Sequence, residues 1–172
     1  NSGPGISTIA VPAASNKAIT VGASDDKGTI TQVDDDIPSF SARGPSAFGR
    51  LDPDIVAPGV AIMSTVPNTS CTTCSYKDVS MYKSLSGTSM AAPHVSGAIA
   101  LLLEQNRNLT PIQIRSMLMS NTKNIVGKTF DKGIGELNIQ NALVNKVYSL
   151  VDAKNTYDAE TISDRWEFVI PI

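Results

Sequence analysis

The clearest pattern in the sequence is a long apolar segment in its second half. Nearly every position between Met90 and Gln105 is apolar, and Val95 and the run from Ala98 to Leu103 are its centre. A helix that is apolar on all sides is typical of a buried element. Pro93 falls in the first turn, where a missing N–H group costs little. We therefore predict a buried helix over residues 90–105.

Two further helices follow along the chain. Thr110-Pro111-Ile112-Gln113 is a capping box with proline at the first helical position, which predicts a helix that ends near Asn121. Its apolar face would carry Ile114, Met117 and Leu118. A third helix is predicted from Asn138 to Tyr148, with Ile139, Leu143 and Val147 in line.

The first half of the chain favours short strands separated by turns. Ala18–Ala23 is apolar, contains β-branched residues and is bounded by glycine, which indicates a buried strand. Ser39–Ser41 is predicted to be a short strand that ends before Gly44-Pro45. Asp54–Ala57 is predicted to be another, stopped by Pro58-Gly59, and Val60–Thr65 extends past it.

Composition excludes some functions. The 172 residues suit one domain, 41% of them are hydrophobic, and the formal net charge is -2. Acidic and basic residues are intermixed, so no basic patch predicts binding to nucleic acid or to an anionic membrane. No apolar stretch reaches the roughly 18 residues of a membrane-spanning helix.

Two cysteines and two acidic runs are candidate binding groups. Cys71 and Cys74 lie in a loop rich in serine and threonine, where a short disulfide is favoured over two free thiols or a redox-active pair. A structural zinc ion would need two more ligands, and His94 is the only histidine. The aspartates at 25–26 and 34–36 could hold a structural calcium ion. They lack a recognisable ligand spacing, so a solvated loop is favoured and no metal site is assigned.

The segment from Ser86 to Gly97 carries the most chemical information. It places Ser89, with Gly87 close by, where a loop becomes the apolar helix. The first N–H groups of a helix have no partner inside it, and the positive end of the helix dipole lies there. An oxygen that becomes negative beside Ser89 would be stabilised. From the residues alone, a serine or threonine cap on a core helix stays an alternative.

This segment resembles a known family signature. Gly-Thr-Ser-Met-Ala-Ala-Pro-His-Val-Ser-Gly, at residues 87–97, is similar to the nucleophile motif of the subtilases, the subtilisin-like serine proteases. Asn1-Ser2-Gly3, the run 18–23 and the segment 40–59 follow in the order of that family. The resemblance covers residues 1–147, and residues 148–172 would be a linker or the start of another module. It implies an α/β fold: the C-terminal half of a subtilisin-like parallel sheet sandwiched by helices, completed by an N-terminal segment absent from this chain.

The resemblance also implies roles for particular residues. Ser89 would be the nucleophile, and its own N–H would be one donor to the oxyanion. The side-chain amide of Asn1 would be the second donor. Ala10 would line the primary specificity pocket, with Gly87 and Thr88 contacting substrate beside the nucleophile. The peptide bond from Val11 to Pro12 aligns with a cis bond of the family.

The rest of a catalytic triad is absent from these residues. The resemblance implies a structural role for His94. It lies five positions after Ser89, about one and a half helical turns away, so it would also point away from Ser89. The resemblance implies that the catalytic Asp and His come from the N-terminal half of the same protease, present as a separate partner chain. The isolated chain is then expected to be inactive. The expected function is hydrolysis of polypeptide substrates by a secreted or extracellular protein. The alternative is an inactive subtilase-like scaffold that acts in binding.

Overall fold

The computed structural model describes residues 1–15, 17–31, 33–46, 49–66 and 81–145. Within them it has four strands and four helices. The strands are β1 (Val21–Ser24), β2 (Ile55–Pro58), β3 (Ile62–Thr65) and β4 (Tyr82–Leu85). The helices are α1 (Thr88–Gln105), α2 (Pro111–Ser120), α3 (Thr129–Lys132) and α4 (Ile139–Val144). Cys71, Cys74, the end of the third predicted helix and residues 148–172 lie outside the described residues.

The core of the fold is a parallel pair of strands. β1 and β2 run parallel, with Val21 opposite Ile55 and Ala23 opposite Ala57. Both strands were predicted, and both are fully buried except at Pro58. Residues 135–137 add a third segment, since the N–H of Val56 donates to Gly135 O at 3.0 Å and that of Leu137 to Val56 O at 2.8 Å. This α/β arrangement of parallel strands and helices agrees with the predicted fold class.

Helix α1 lies across the two parallel strands. Its buried face consists mostly of small or branched residues, namely Thr88, Ala91, Ala92, Val95, Ala98 and Leu102. Small side chains allow the helix to approach the sheet closely, which suits the short buried residues of β1 and β2. The opposite face is not buried in this chain, and Leu101 is 45% exposed. The prediction of a helix buried on all sides is therefore wrong for this chain, because nothing among the described residues covers that second face.

Helix α2 begins as the sequence predicts. Thr110 and Gln113 form both hydrogen bonds of the capping box, and Pro111 occupies the first turn. The predicted apolar face, Ile114 with Met117 and Leu118, is buried in the common core. The helix ends at Ser120, next to the predicted end.

The short strand predicted at Ser39–Ser41 is wrong. The N–H of Ser41 donates to the carbonyl oxygen of Pro38 at 3.0 Å, which closes a turn instead. The hydroxyl oxygen of Ser41 then accepts the N–H of Ala23 at 3.0 Å. A side-chain oxygen thus satisfies a backbone donor of β1 that a paired strand would otherwise take.

A buried carboxylate joins the strands to α2. Asp54, at the start of β2, is 1% exposed. One of its oxygens accepts the N–H of Thr20 at 2.8 Å, and the other accepts Nη2 of Arg115 at 2.6 Å. Burial raises the pKa of Asp54, and the guanidinium of Arg115 opposes that shift. The three groups tie the entry of β1, the entry of β2 and helix α2 together.

Across the described ranges, no helix is both long enough and apolar enough to cross a membrane.

Removing Arg115 should destabilise the protein strongly. Arg115→Ala would leave Asp54 buried without its cation, which typically lowers the free energy of unfolding by about 3–5 kcal/mol. Urea denaturation of the chain joined to the N-terminal segment expected above, followed by circular dichroism, measures this. Lys27→Ala is the matched control, because Lys27 forms ion pairs at the surface with Asp25 and Asp36, which contribute little. Equal effects of the two substitutions would contradict a structural role for the buried pair.

Candidate active site

Ser89 lies in the first turn of α1, directly after the turn that follows β4. Its side chain is exposed, whereas Gly87 and Thr88 before it are buried. The N–H of Gly87 donates to the carbonyl oxygen of Gly59 at 2.8 Å, which holds the turn against the segment after β2. The positive end of the α1 dipole lies at this turn, so a negative charge that forms beside Ser89 is favoured electrostatically.

The side chain of Asn1 reaches this turn from the other end of the chain. Its Oδ1 accepts the N–H of Thr88 at 2.8 Å and the hydroxyl of Thr88 at 3.0 Å. The two residues are 87 positions apart in the sequence. Because both hydrogen bonds use the oxygen of the amide, the Nδ2 group remains available as a donor. The structure thus brings two of the predicted site residues into direct contact.

Gly87 permits this close approach. A Cβ atom built at Gly87 would lie 3.2 Å from Nδ2 of Asn1, and the backbone φ of 158° is one that residues with side chains rarely adopt. A larger residue would displace the amide of Asn1 from beside the Ser89 turn. Gly87 therefore shapes the site through its backbone.

An open pocket lies next to these residues. Asn1, Ala10 and Thr88, three of the predicted site residues, line it together. The sequence did not identify the other lining residues, which are Ser2, Thr8, Ile9, Ala13, Thr20, Val21, Gly22, Ala42 and Pro53. They come from separate parts of the first 53 residues, and no local pattern marks them as neighbours.

Hydrogen bonds hold the walls of this pocket. The N–H of Thr8 donates to Arg43 O at 3.0 Å, and the N–H of Arg43 donates to the hydroxyl oxygen of Thr8 at 2.9 Å. The hydroxyl of Thr20 donates to Ala13 O at 2.7 Å, while its N–H is bound by Asp54. The peptide bond between Val11 and Pro12, near Ala10, is cis, as the resemblance implied. The pocket is therefore shaped by backbone positions fixed through side-chain oxygens.

His94 is not part of this arrangement. Its Nδ1 lies 2.8 Å from the carbonyl oxygen of Met90 in the same helix, and its ring is exposed. This contact holds Nδ1 within the helix, and that His94 does not serve Ser89 as a base stays a prediction. Its role as a structural residue stays a prediction.

The acidic loop after β1 is arranged around a lysine. Nζ of Lys27 lies 2.9 Å from both Asp25 and Asp36, and these hydrogen bonds raise the pKa of Lys27. Among the described residues, no group of three or more His, Cys, Asp or Glu side chains is placed to hold a metal ion. The calcium hypothesis for residues 25–26 and 34–36 stays a prediction.

Two known proteases are similar to this chain over more than half of its length. Serine protease AprX of Bacillus subtilis (strain 168) is 44% identical over an alignment of 157 residues, covering 83% of this chain and 33% of that protein. The CO(2)-response secreted protease of Arabidopsis thaliana is 42% identical over 114 residues, covering 57% of this chain and 15% of that protein. The chain thus spans a third or less of the length of these relatives.

A solved structure and a family model complete the comparison. The CspB protease of Clostridium perfringens superimposes with a TM-score of 0.65 at 31% identity, covering 83% of this chain and 29% of that one. The model of the subtilase family matches residues 1–142, which is most of the chain and includes Asn1, the pocket and the Ser89 turn. The chain belongs to the subtilase family.

Proposed function

We propose that this chain forms the nucleophile-bearing part of a serine endopeptidase. The observation that carries the proposal is the contact between Asn1 and Thr88, which places a fixed amide next to the turn of Ser89. Hydrolysis of a peptide bond needs a nucleophile and donors for the oxyanion that forms on the carbonyl oxygen. Both kinds of group meet at the N-terminus of α1.

Ser89 would attack the carbonyl carbon of the substrate. The oxygen of that carbonyl becomes negative in the tetrahedral intermediate, and the N–H of Ser89 and Nδ2 of Asn1 would donate to it. Thr88 binds Oδ1 of Asn1, so the amide is oriented before substrate arrives. Donors that are fixed in advance need no rearrangement in the transition state.

The adjoining pocket would bind the side chain that precedes the scissile bond. Ala10 lies in its wall together with Asn1 and Thr88, so a side chain held there is next to the nucleophile turn. The methyl group of Ala10 leaves slightly less depth than a glycine would. The pocket therefore sets substrate preference, while the nucleophile turn performs the reaction.

The general base must come from another segment. The sequence has one histidine, His94, whose Nδ1 contacts the carbonyl oxygen of Met90. A serine hydroxyl needs a base to remove its proton. We infer that an N-terminal segment of the same protease supplies His and Asp and packs against the exposed face of α1. The much greater length of the relatives supports this inference. We call this chain together with that segment the assembled enzyme.

Secretion is part of the same proposal. A plant relative that is 42% identical over 114 residues is named a secreted protease. An extracellular protease would meet polypeptide substrates without degrading the proteins of its own cell. Secretion would also permit a disulfide between Cys71 and Cys74.

Replacing Ser89 tests the function directly. Ser89→Ala in the assembled enzyme should lower turnover by about six orders of magnitude, the loss known for removal of the nucleophile in subtilisin, a member of this same family. Hydrolysis of a chromogenic peptide measures it, and a serine-directed phosphonate should label Ser89 alone. His94→Gln is the control and should retain at least about a tenth of the activity, with any loss appearing as lower stability. Unimpaired activity of Ser89→Ala would instead indicate that this chain is a binding scaffold and that another protein in the preparation hydrolyses the peptide.

Replacing Asn1 tests the oxyanion donor. Asn1→Ala should raise the barrier by about 2.7–4 kcal/mol, the range known for the equivalent loss in subtilisin, with KM nearly unchanged. The reason is that the amide would bind the oxyanion and not the ground-state substrate. Ala10→Gly is the control, since a change in the pocket should alter KM more than turnover. A rise in KM alone for Asn1→Ala would show that Asn1 only shapes the pocket.

Mixing experiments test the need for a second segment. The chain alone should be inactive and should bind hydrophobic dyes, because it lacks a base and leaves a face of α1 with Leu101 uncovered. Adding the N-terminal segment should restore both cooperative melting and peptide hydrolysis. Full, phosphonate-sensitive activity of a preparation verified to contain this chain alone would contradict the proposed division of the triad.

A further inference from the structure

A two-stranded antiparallel ribbon, β3 with β4, leads into the turn that carries Ser89. Its register places Met63 opposite Ser84 and Thr65 opposite Tyr82. None of the eight residues in the two strands is buried, and none belongs to the hydrophobic core of the described chain. An isolated two-stranded ribbon is only marginally stable in water, so a further segment that pairs with it would gain a surface that is already formed.

The ribbon has an unpaired edge. In the described part of the chain, β4 pairs with β3 and with no other strand. The outer edge of β4 therefore presents backbone N–H and C=O groups, which are a template for one more strand. Extended peptides bind at such edges through backbone hydrogen bonds, and pockets or side chains alongside give specificity.

One face of the ribbon carries two large, accessible side chains beside Thr65 and Ser84. Side chains alternate between the faces of a strand, so Met63 and Tyr82 share a face. They are 65% and 59% exposed. A thioether adapts to differently shaped apolar groups, and a tyrosine ring offers a large flat contact area. This face suits an extended polypeptide with apolar side chains at alternate positions.

The base of the ribbon is fixed relative to Ser89. The N–H of Ala61 donates to the hydroxyl oxygen of Ser86 at 2.9 Å, just beyond the paired ends of both strands. The N–H of Gly87 donates to Gly59 O at 2.8 Å. The ribbon therefore keeps a constant position relative to the Ser89 turn.

From these features we propose that the ribbon is an accessory docking surface for polypeptide substrates, a role that rests on the proposed endopeptidase function. The unpaired edge of β4 would take an extended stretch of substrate at a distance from the cleaved bond, and Met63 and Tyr82 would contact its apolar side chains. Tyr82 is seven positions before Ser89. At no more than about 3.6 Å per residue, a substrate segment of comparable length spans the interval.

A second copy of the chain fits this surface less well. Lys83 lies on β4 and is exposed. Antiparallel pairing of β4 with β4 of another copy would bring two lysines close together, and lysine on an edge strand discourages such self-association. A substrate with neutral or acidic residues there meets no such repulsion.

Substrate length is the variable that tests the proposal. The assembled enzyme and its variant M63S/Y82S would be compared on a short chromogenic peptide that ends at the cleaved bond, and on a fluorogenic peptide of about 20 residues that contains the same cleavage sequence. We expect KM for the long peptide to rise about tenfold in the variant with kcat unchanged, because apolar contacts are lost. Kinetics on the short peptide should not change. Ile30→Ser, which removes a fully exposed apolar side chain from the loop after β1, is the matched control.

Each outcome decides the matter. Equal changes on both peptides, or no change on the long one, would overturn the docking role. If the parent enzyme sediments as a dimer and the M63S/Y82S variant as a monomer, the ribbon binds a second copy, and the docking role is overturned as well. Failure of the proposed function would appear differently, as absence of Ser89-dependent hydrolysis of either peptide. In that case, binding of the labelled long peptide to the assembled Ser89→Ala protein is measured by fluorescence anisotropy, with and without the M63S/Y82S substitutions. Docking predicts weaker binding with the substitutions, and equal binding contradicts it.

Discussion

The structure depends on a buried carboxylate at the start of β2. Asp54 accepts hydrogen bonds from the backbone of Thr20 and from the guanidinium of Arg115, so the entries of the two parallel strands and helix α2 are fixed to one group. A charge taken out of water is costly unless its partners are well placed, so this geometry tolerates little displacement. Thr20 also lines the pocket, which means that the same carboxylate positions a wall of the candidate active site.

The chemistry of the site depends on where chain segments meet. Ser89 occupies a helix N-terminus, where unpaired N–H groups and the helix dipole favour negative charge. Asn1 adds a side-chain amide whose oxygen is already bound by Thr88. The site combines a rigid helix end with an amide held from a distant segment, and Gly87 between them leaves room for both.

Two exposed surfaces of this chain have different physical meanings. The outer face of α1 exposes Leu101 and belongs to the helix that begins at the Ser89 turn, so we propose that one segment both covers it and supplies a base. The ribbon is exposed along both strands, contributes nothing to the described core and has an unpaired edge. We propose that it binds substrate, whereas the exposed face of α1 is covered by the N-terminal segment.

Local signals in the sequence indicated three of the four helices of the described chain and the candidate nucleophile. The capping box at Thr110, the apolar run after Ser89 and the signature at residues 87–97 act within a few positions, so they can be read without knowing the fold. The buried strands around Val21 and Ile55 were predicted for the same reason. The turn at Ser41 was not predicted, because the hydrogen bond of Ser41 with Ala23 joins distant parts of the chain. The contact of Asn1 with Thr88 and the assembly of the pocket likewise join residues far apart in sequence, and only tertiary packing decided them. Tertiary packing also decided that only one face of α1 is buried. Apolar composition indicates that a helix can be buried, but not which elements are present to cover it.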